Sequence, residues 1–304
     1  MTDALLVRTV ERTGSTSSDL RAALTGPGGT LDRASVERWP HLSALRALTQ
    51  TAGRGRSDHR WVTPASGALT VSVVLRPLVP VERLAWVPLL GGLAARDAVE
   101  DLLREAGSPW RARTKWPNDV VAVPAEGRDG EAGAAADRAD EVPAIEGWGR
   151  SRKLVGVLAE LVLPAAPVEP GPVPVSREVA PAVVLGLGVN VAQRADELPV
   201  PWAASLAQLG VRTAPEEVLD ALGFRLAALV GEWEAVGGDP DAAGGDLGHR
   251  LRTACLTLGQ EVRADTPSGV VVGRAVDLEP GLVLETAQGL TTVTAGDVTA
   301  LRTA

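Results

Sequence analysis

The chain has 304 residues, of which 45% are hydrophobic, so it can bury a substantial core in one large domain or two ordinary ones. A formal net charge of −8 excludes a protein that mainly coats nucleic acid through bulk positive charge. A single cysteine, Cys255, excludes an internal disulfide, and three histidines without ligand-like spacing argue against a structural zinc site.

The apolar pattern gives no signal for export or membrane insertion. The first residues, Met1-Thr2-Asp3, are not basic, and the apolar run over 4–7 is too short for a signal peptide. No run reaches the ~18 apolar residues that span a bilayer. We therefore predict a cytoplasmic protein that does not contact a membrane.

The first part of the chain predicts short strands and helices in alternation. Alternating apolar residues predict strands over 4–10 and 68–75. A short helix is expected to begin at Ser17 or Ser18, either of which can cap it. A 3.6-residue apolar repeat predicts a longer helix over 86–106.

The middle of the chain predicts strands joined by two long connections. Strands are expected over 110–116, 120–123, 154–163 and 182–191. The stretch 124–150 is acidic, rich in alanine and glycine, and has no period of 2.0 or 3.6 residues. We interpret it as a long mobile connection between two strands.

The last part of the chain changes in character. An apolar stripe predicts a helix over 213–236, with Thr213 and Glu216 as a capping box. Beyond it, closely spaced short strands separated by turns predict a small β-barrel. We therefore predict an α+β fold, with a mixed central sheet and flanking helices in residues 1–256 and a barrel in residues 257–304.

A loop rich in glycine and arginine is the most informative segment for function. Gly53 and Gly55 let the backbone approach a ligand closely, while Arg54 and Arg56 offer planar cationic forks that suit carboxylate and phosphate oxygens. A solvated loop with surface ion pairs is the alternative. The pattern favours an anion site, and the following Trp61 can pack on a ligand or in a core.

A second segment, Lys115-Trp116-Pro117-Asn118-Asp119, places a lysine at the end of a strand and two polar residues in the next turn. Lys115 can neutralise a phosphate. Asn118 and Asp119 offer hard oxygen ligands for Mg²⁺, which usually lies between one or two carboxylates and substrate phosphates. Asn and Asp are also ordinary turn residues, and Asp119 could instead only hold a cation such as Lys115 in place.

Two later strands carry further candidates. Lys153 begins an apolar strand, so its ammonium group must reach water or meet an anion. Gly186 and Gly188 lie on one face of a buried strand, which indicates either close backbone packing or a ligand on that face. The glycine pattern there is not that of a dinucleotide-binding fold, because the sixth position is Val191.

Five segments, in this order along the chain, resemble the motifs of the biotin protein ligase family. They are Thr13-Gly14-Ser15-Thr16-Ser17, the loop from Gln50 to Trp61, Lys115 to Asp119, Arg152 to Glu160, and Gly186 to Asn190. The chain departs from the family at Ser57-Asp58-His59, where Arg-Gly-Arg often stands, and at Ser17, which replaces Asn. The resemblance implies a class II synthetase-like sheet followed by an SH3-like C-terminal barrel.

The resemblance also implies roles for individual residues. Those implied to bind biotin are Ser15, Thr16, Ser17, Gln50, Gly53, Arg54, Gly55, Arg56, Lys153, Gly156, Gly186 and Gly188. Those implied to bind ATP are Arg56, Trp61, Lys115, Asn118 and Asn190, with Asn118 and Asp119 as ligands of Mg²⁺. The catalytic cations would be Arg54, Arg56, Lys115 and Lys153.

The function implied is the ATP-dependent attachment of biotin, through biotinoyl-5′-AMP, to a lysine of a biotin carboxyl carrier domain. Two alternatives stay open: a lipoate or octanoate ligase of the same fold, and a non-catalytic biotin or nucleotide sensor. About a dozen residues precede Ser15, too few for a helix-turn-helix, so we expect no specific DNA binding. We expect a monomer or a weak homodimer.

Overall fold

The computed structural model describes residues 4–56, 60–61, 67–125, 142–165, 170–242 and 245–301. The strands of the central sheet are β1 (Leu6–Thr13), β2 (Ser43–Gln50), β3 (Ala68–Leu75), β4 (Trp110–Lys115), β5 (Asp119–Pro124), β6 (Arg152–Val162) and β7 (Ala182–Asn190). The helices are α1 (Thr16–Leu24), α2 (Ser35–Arg38), α3 (Val87–Glu105), α4 (Pro215–Ala235) and α5 (Leu247–Ala254). The strands of the second sheet are β8 (Glu261–Thr266), β9 (Gly269–Glu279), β10 (Gly281–Thr286), β11 (Gly289–Val293) and β12 (Asp297–Ala300).

The central sheet has seven strands in the order β1-β2-β3-β7-β6-β5-β4. β1 pairs with β2 in parallel, and the other neighbours pair antiparallel, so the sheet is mixed, as the sequence predicted. β3 and β7 lie in the middle, and every residue of both is buried. Burial on both faces explains why these two strands read as nearly continuous apolar runs.

Helices cover the two faces of this sheet unequally. On one face α3 lies so close that a Cβ on Gly91 would be 2.9 Å from Cδ2 of Leu185 in β7. On the other face Leu20 of α1 belongs to a small core that includes Val74 and Val184. Because α1 has nine residues, it covers one end of that face and leaves the other end for a cavity. No helix in the described ranges is long and apolar enough to cross a membrane.

The second sheet is antiparallel, with the strand order β11-β10-β9-β8-β12. Within the described residues its hydrogen bonding does not close, because β11 and β12 are its edges, so the expected closed barrel is not formed. Arg252 of α5 joins it to the rest of the molecule through ion pairs with Asp241 and with Asp277 of β9. A domain boundary between residues 256 and 257 stays a prediction.

Two strands were not predicted from the sequence. β2, Ser43–Gln50, contains three polar residues and an arginine among its eight, so its apolar signal is weak. It is nevertheless mostly buried, because it lies between β1 and β3. β12 has four residues, too few to show a period.

Two predicted helix caps are wrong. The N-cap of α1 is Ser15, whose side chain accepts from the backbone N–H of Ser18, rather than Ser17 or Ser18. At α4 the carboxylate that closes the N-terminus is Glu217, which accepts from the N–H of Ala214 at 3.1 Å, rather than Glu216. Both errors are shifts of one to three residues, which sequence patterns resolve poorly because several neighbouring polar residues can cap.

A buried polar cluster lies where β3 ends. The guanidinium of Arg76 is fully buried, and its Nε donates to the carbonyl of Trp39 at 3.2 Å. The backbone N–H of Arg76 donates to Nδ1 of His41 at 3.0 Å, which requires that nitrogen to be unprotonated. Burial lowers the pKa of His41 from 6.5 to about 4; the positive charges of Arg177 and Arg76 add to this shift, and Glu234 opposes it.

We therefore expect the free energy of unfolding to fall as the pH is lowered from 6.5 towards 4. The unfolded chain binds a proton on His41 at a higher pH than the folded chain does, so acid favours unfolding, by roughly 3 kcal/mol at most. Urea unfolding at a series of pH values measures this. The His41→Asn variant keeps an acceptor without titrating, so its stability should depend less on pH. An equal dependence in both proteins would contradict the assignment to His41.

Candidate functional site

The site begins with a row of residues that the strand register aligns across the central sheet. Lys115 of β4 pairs with Asp119 of β5, which pairs with Gly156 of β6, which pairs with Gly188 of β7. Gly188 in turn pairs with Thr70 of β3. Residues opposite each other on adjacent strands share a face and lie about 5 Å apart. The two glycines therefore form a flat floor, with a cation and a carboxylate on one side and a hydroxyl on the other.

Hydroxyl and amide groups lie beside this floor, where α1 begins. Ser72 Oγ lies 2.8 Å from Thr16 Oγ1 and 2.9 Å from Ser17 Oγ. Gln50 Oε1 accepts from the backbone N–H of Thr16 at 2.8 Å. Gly186 makes room for this group, because a Cβ there would lie 2.5 Å from Ser17 Oγ. Sequence reasoning missed Ser72, which has no motif around it and is identified by its position alone.

The glycine and arginine loop folds back over the same face. The N–H of Trp61 donates to the carbonyl of Gly53 at 3.0 Å, and a Cβ on Gly53 would lie 2.4 Å from the carbonyl oxygen of Trp61. The indole covers the floor, since a Cβ on Gly156 or Gly188 would lie 2.9 or 2.2 Å from its ring. Its expected place beside adenine stays a prediction, and residues 57–59, where the chain departs from the family, lie outside the described residues.

Arg54 is held by a protein carboxylate. Its Nη1 lies 3.0 Å from Oε1 of Glu160, which also pairs with Arg21 at 3.2 Å. The Arg54 side chain is 49% exposed, so this pair is worth little and an anionic ligand can replace it at small cost. Glu160 ends a motif quoted above, yet the sequence did not indicate that it would hold the loop.

Arg56 lies among groups from both sheets. It lines the cavity together with Asp119 of β5 and Asp297 of β12. Burial lowers the pKa of the Arg56 guanidinium, and the carboxylates of Asp297 and Asp119 oppose that shift. The second sheet therefore contributes a negative charge to the site, through a strand that the sequence did not predict.

The two candidate lysines have different partners. Lys153 Nζ forms an ion pair with Asp119 Oδ1 at 2.6 Å, whereas Lys115 Nζ donates to the carbonyl of Val298 at 3.1 Å. Burial lowers the pKa of Lys115, and the positive charge of Lys153 adds to this shift, while Asp119 and Asp297 oppose it. Both ammonium groups line the cavity.

A feature of composition points to the same two side chains. The chain has 28 arginines but just two lysines, Lys115 and Lys153, and both lie in the cavity. A compact, strongly hydrated ammonium group is not interchangeable with a planar guanidinium. The presence of lysine at these two positions alone is a compositional signal that points to them independently of any motif.

The carboxamides of the two candidate asparagines are engaged in the fold. Asn118 Nδ2 donates to the carbonyl of Val157 at 3.1 Å. Asn190 Nδ2 donates to the carbonyl of Ala204 at 3.1 Å, and its Oδ1 accepts from Gln193 Nε2 at 3.1 Å. Asn190 thus ties down the chain that follows β7. A direct contact of either amide with ATP stays a prediction.

The side chains in the cavity are compatible with a metal ion that is bound mainly by the phosphates of a substrate. Among the described residues, no group of three or more His, Cys, Asp or Glu side chains could bind a metal by itself. Asp119 supplies one carboxylate beside Asn118, and it is paired with Lys153. Mg²⁺ is commonly bound by one or two carboxylates together with substrate phosphates, so this sparse set is compatible with it.

These groups surround a cavity of about 650 Å³, a size typical of sites for small organic ligands. Every candidate residue named from the sequence lines it except Gly53, which lines an adjoining recess. Two tryptophans that sequence reasoning missed, Trp148 and Trp202, also line it and stack with ring centroids 5.7 Å apart.

Known proteins are similar to most of this chain. A model of the biotin/lipoate A/B protein ligase family matches residues 29–166. A biotin–[acetyl-CoA-carboxylase] ligase of Mycobacterium tuberculosis is 32% identical over 299 residues, covering 96% of this chain and 88% of that protein. The bifunctional ligase/repressor BirA of Bacillus spizizenii is 25% identical over 270 residues, covering 85% of this chain and 66% of that protein.

The fold is that of a solved ligase. The structure of a biotin protein ligase from Aquifex aeolicus in complex with biotin and ATP has a TM-score of 0.63 at 22% identity, covering 98% of this chain and 99% of that one. At this identity the likeness shows the fold, while the M. tuberculosis relative shows the family. The chain belongs to the biotin protein ligase family.

Proposed function

We propose that the protein attaches biotin to a lysine of a biotin carboxyl carrier domain, with ATP as the energy source. The observation that carries this proposal is the glycine floor of the cavity, flanked by hydroxyl and amide groups at one end and by the chain's two lysines at the other. The Trp61 indole lies on that floor, so an uncharged ring system that stacks on the indole or takes its place fits this end of the cavity, and an anionic reaction centre fits the cations.

The first step joins biotin to the nucleotide. A carboxylate oxygen of biotin attacks the α-phosphorus of ATP, and the bond to the β-phosphate breaks, so pyrophosphate leaves and biotinoyl-5′-AMP remains. Negative charge grows on the α-phosphoryl oxygens, where Arg56, Lys115 and Lys153 would stabilise it. Mg²⁺ bound with ATP neutralises phosphate charge, and Asp119 and Asn118 are the residues that would hold it.

The second step transfers the acyl group. The neutral amine of the acceptor lysine attacks the carbonyl carbon of the mixed anhydride, the bond to the phosphate oxygen breaks, AMP leaves, and the proton that the amine loses passes to solvent. No covalent enzyme intermediate is needed, so the protein acts by positioning the reactants and stabilising charge. Cys255 is buried, and burial raises the pKa of its thiol, which argues against a nucleophilic role.

The polar end of the floor favours biotin over lipoate. Biotin carries a ureido group with two N–H donors and one carbonyl acceptor, which matches the hydroxyls of Thr16, Ser17 and Ser72. The dithiolane ring of lipoate has no such donors and would leave these polar groups unpaired, which costs affinity. The cluster of cations argues against a sensor, which would need to bind but not to stabilise a transition state.

The identity of the acceptor and the setting are also part of the proposal. We infer a biotin carboxyl carrier domain of an acyl-CoA or pyruvate carboxylase as the acceptor, a reaction in the cytoplasm, and a monomer or weak homodimer. The net charge of −8 supports the expectation that the chain does not bind DNA specifically.

Incubation with ATP, Mg²⁺ and biotin, followed by mass spectrometry, tests the first step. We expect pyrophosphate and biotinoyl-5′-AMP with biotin and neither product with lipoate. Adding a carrier domain should give a protein adduct of one biotin, which a Lys→Arg variant of the acceptor lysine abolishes. Tight biotin binding without adenylate would instead establish a sensor, and adenylation of lipoate would establish the other ligase.

Replacing Lys153 with alanine should slow adenylate formation by about 100-fold or more, because it removes a cation from the reaction centre. It also leaves Asp119 unpaired. The double variant Lys153→Ala/Asp119→Asn, compared with Asp119→Asn alone, removes that complication, and it should be slower than Asp119→Asn, which by itself alters a candidate ligand of Mg²⁺. Single-turnover pyrophosphate release measures the rate of each variant. Arg263→Ala, in β8 of the second sheet, is the control. A rate within threefold of the wild type would remove Lys153 from the mechanism.

Replacing Gly188 with alanine should weaken biotin binding by at least about tenfold, because a Cβ there would lie 2.2 Å from the Trp61 ring and would displace the indole that covers the floor of the site. Isothermal titration with biotin measures this. Gly231→Ala is the control, since a Cβ there meets nothing within 4 Å. Unchanged affinity in Gly188→Ala would show that biotin lies elsewhere.

A further inference from the structure

The acidic connection over 124–150, called the acidic insertion below, ends in a turn that forms one wall of the cavity, while its residues 126–141 lie outside the described residues. Residues 146–148 line the cavity, and a Cβ on Gly147 would lie 3.2 Å from Thr299 Cγ2 of the second sheet. The turn is closed by a bridge between Ile145 and Gly149 and by the N–H of Trp148, which donates to the carbonyl of Ile145 at 2.9 Å. This part of the insertion is therefore an ordered element of the site.

Trp148 is the residue of this turn that reaches the reaction centre. Lys115 Nζ lies 4.6 Å from the centroid of its ring, within the range of a cation–π interaction. Ser151 holds the backbone of Trp148 from the other side, since its Oγ donates to the carbonyl of Trp148 at 2.6 Å. The ring and the backbone are thus both fixed.

The position of Lys115 depends on the Trp148 ring, whereas the position of Lys153 does not. Lys153 has a carboxylate partner, Asp119, whereas within the described part of the chain Lys115 is held by the carbonyl of Val298 and the face of Trp148. Asp119 is the cross-strand partner of Lys115, so it is a competing site for the ammonium group. An aromatic face attracts the cation without neutralising it, and it leaves the charge available to a phosphate.

The same ring links the two lysines. Trp148 stacks on Trp202 at an interplanar angle of 11°. The backbone carbonyl of Trp202 accepts from the backbone N–H of Lys153 at 2.7 Å. The stacked pair Trp148 and Trp202 therefore contacts the side chain of Lys115 directly and is hydrogen-bonded to the strand that carries Lys153.

We propose that Trp148 is a positioning residue that holds the ammonium group of Lys115 against the phosphates of ATP, and that this is the role of the end of the acidic insertion. This inference rests on the proposed function, because the phosphates of ATP are the anions that Lys115 meets. Trp148 itself takes no part in bond making or breaking.

Two variants separate the aromatic face from bulk. Trp148→Leu keeps an apolar side chain but removes the aromatic ring. Trp148→Phe keeps an aromatic ring, though a smaller one. We expect Trp148→Leu to raise the KM for ATP in biotin-dependent pyrophosphate release by about tenfold. Its affinity for biotin alone, measured by titration calorimetry, should stay within twofold of the wild type. Trp148→Phe should recover most of the loss.

A double-variant cycle tests whether Trp148 acts through Lys115. In the Lys115→Ala background, at high enzyme concentration, adding Trp148→Leu should change kcat/KM for ATP by less than twofold. Trp110→Leu is the matched control, because Trp110 is also half-buried and lies at the far end of the same strand, β4. It should leave the KM for ATP unchanged.

The outcomes are distinguishable. Wild-type protein without biotin-dependent pyrophosphate release would overturn the proposed function and this inference with it. An active wild type with an unchanged KM in Trp148→Leu, or losses that add in the double variant, would overturn the role of Trp148 alone. An equal loss of biotin affinity, not recovered by Trp148→Phe, would indicate a general packing role and would also overturn it.

Discussion

The register between β6 and β7 is the constraint on which the site depends. Gly156 stands directly opposite Gly188, so two neighbouring strands lack side chains at the same point on the same face. A shift of one residue in this register would turn one of the glycines to the face covered by α3 and place a valine or leucine on the floor. The continuous burial of β3 and β7 prevents such a shift, because every residue there has a fixed partner in the core.

Around this floor, the cationic side chains form ion pairs and hydrogen bonds with protein groups that a ligand can replace. Arg54 is paired with Glu160, Lys153 with Asp119, and Lys115 with a backbone carbonyl. A group of buried or half-buried positive charges without partners would be costly to fold. These partners avoid that cost, and the half-exposed pair of Arg54 is weak enough to be exchanged for a carboxylate or phosphate when one arrives.

The walls of the cavity come from parts of the chain that are distant in sequence. The second sheet contributes Asp297 and the carbonyl of Val298, and the end of the acidic insertion contributes Trp148. Arg252 helps to hold the second sheet in place through its ion pairs with Asp241 and Asp277. The site is therefore complete only when both sheets and residues 142–151, the described end of the connection between β5 and β6, are in position.

The sequence by itself determined the mixed α+β fold, the helices over Val87–Glu105 and Pro215–Ala235, and about half of the residues that line the cavity, because periodic apolar patterns and five ordered motifs are local properties of the chain. It did not yield β2 or β12, whose burial and pairing come from neighbours rather than from their own composition. Only the tertiary structure decided that Ser72, Glu160, Trp148 and Asp297 belong to the site, and that Trp61 rests on the glycine floor. These contacts join residues far apart in the chain, so their position depends on strand register and on the docking of the second sheet, neither of which a local pattern records.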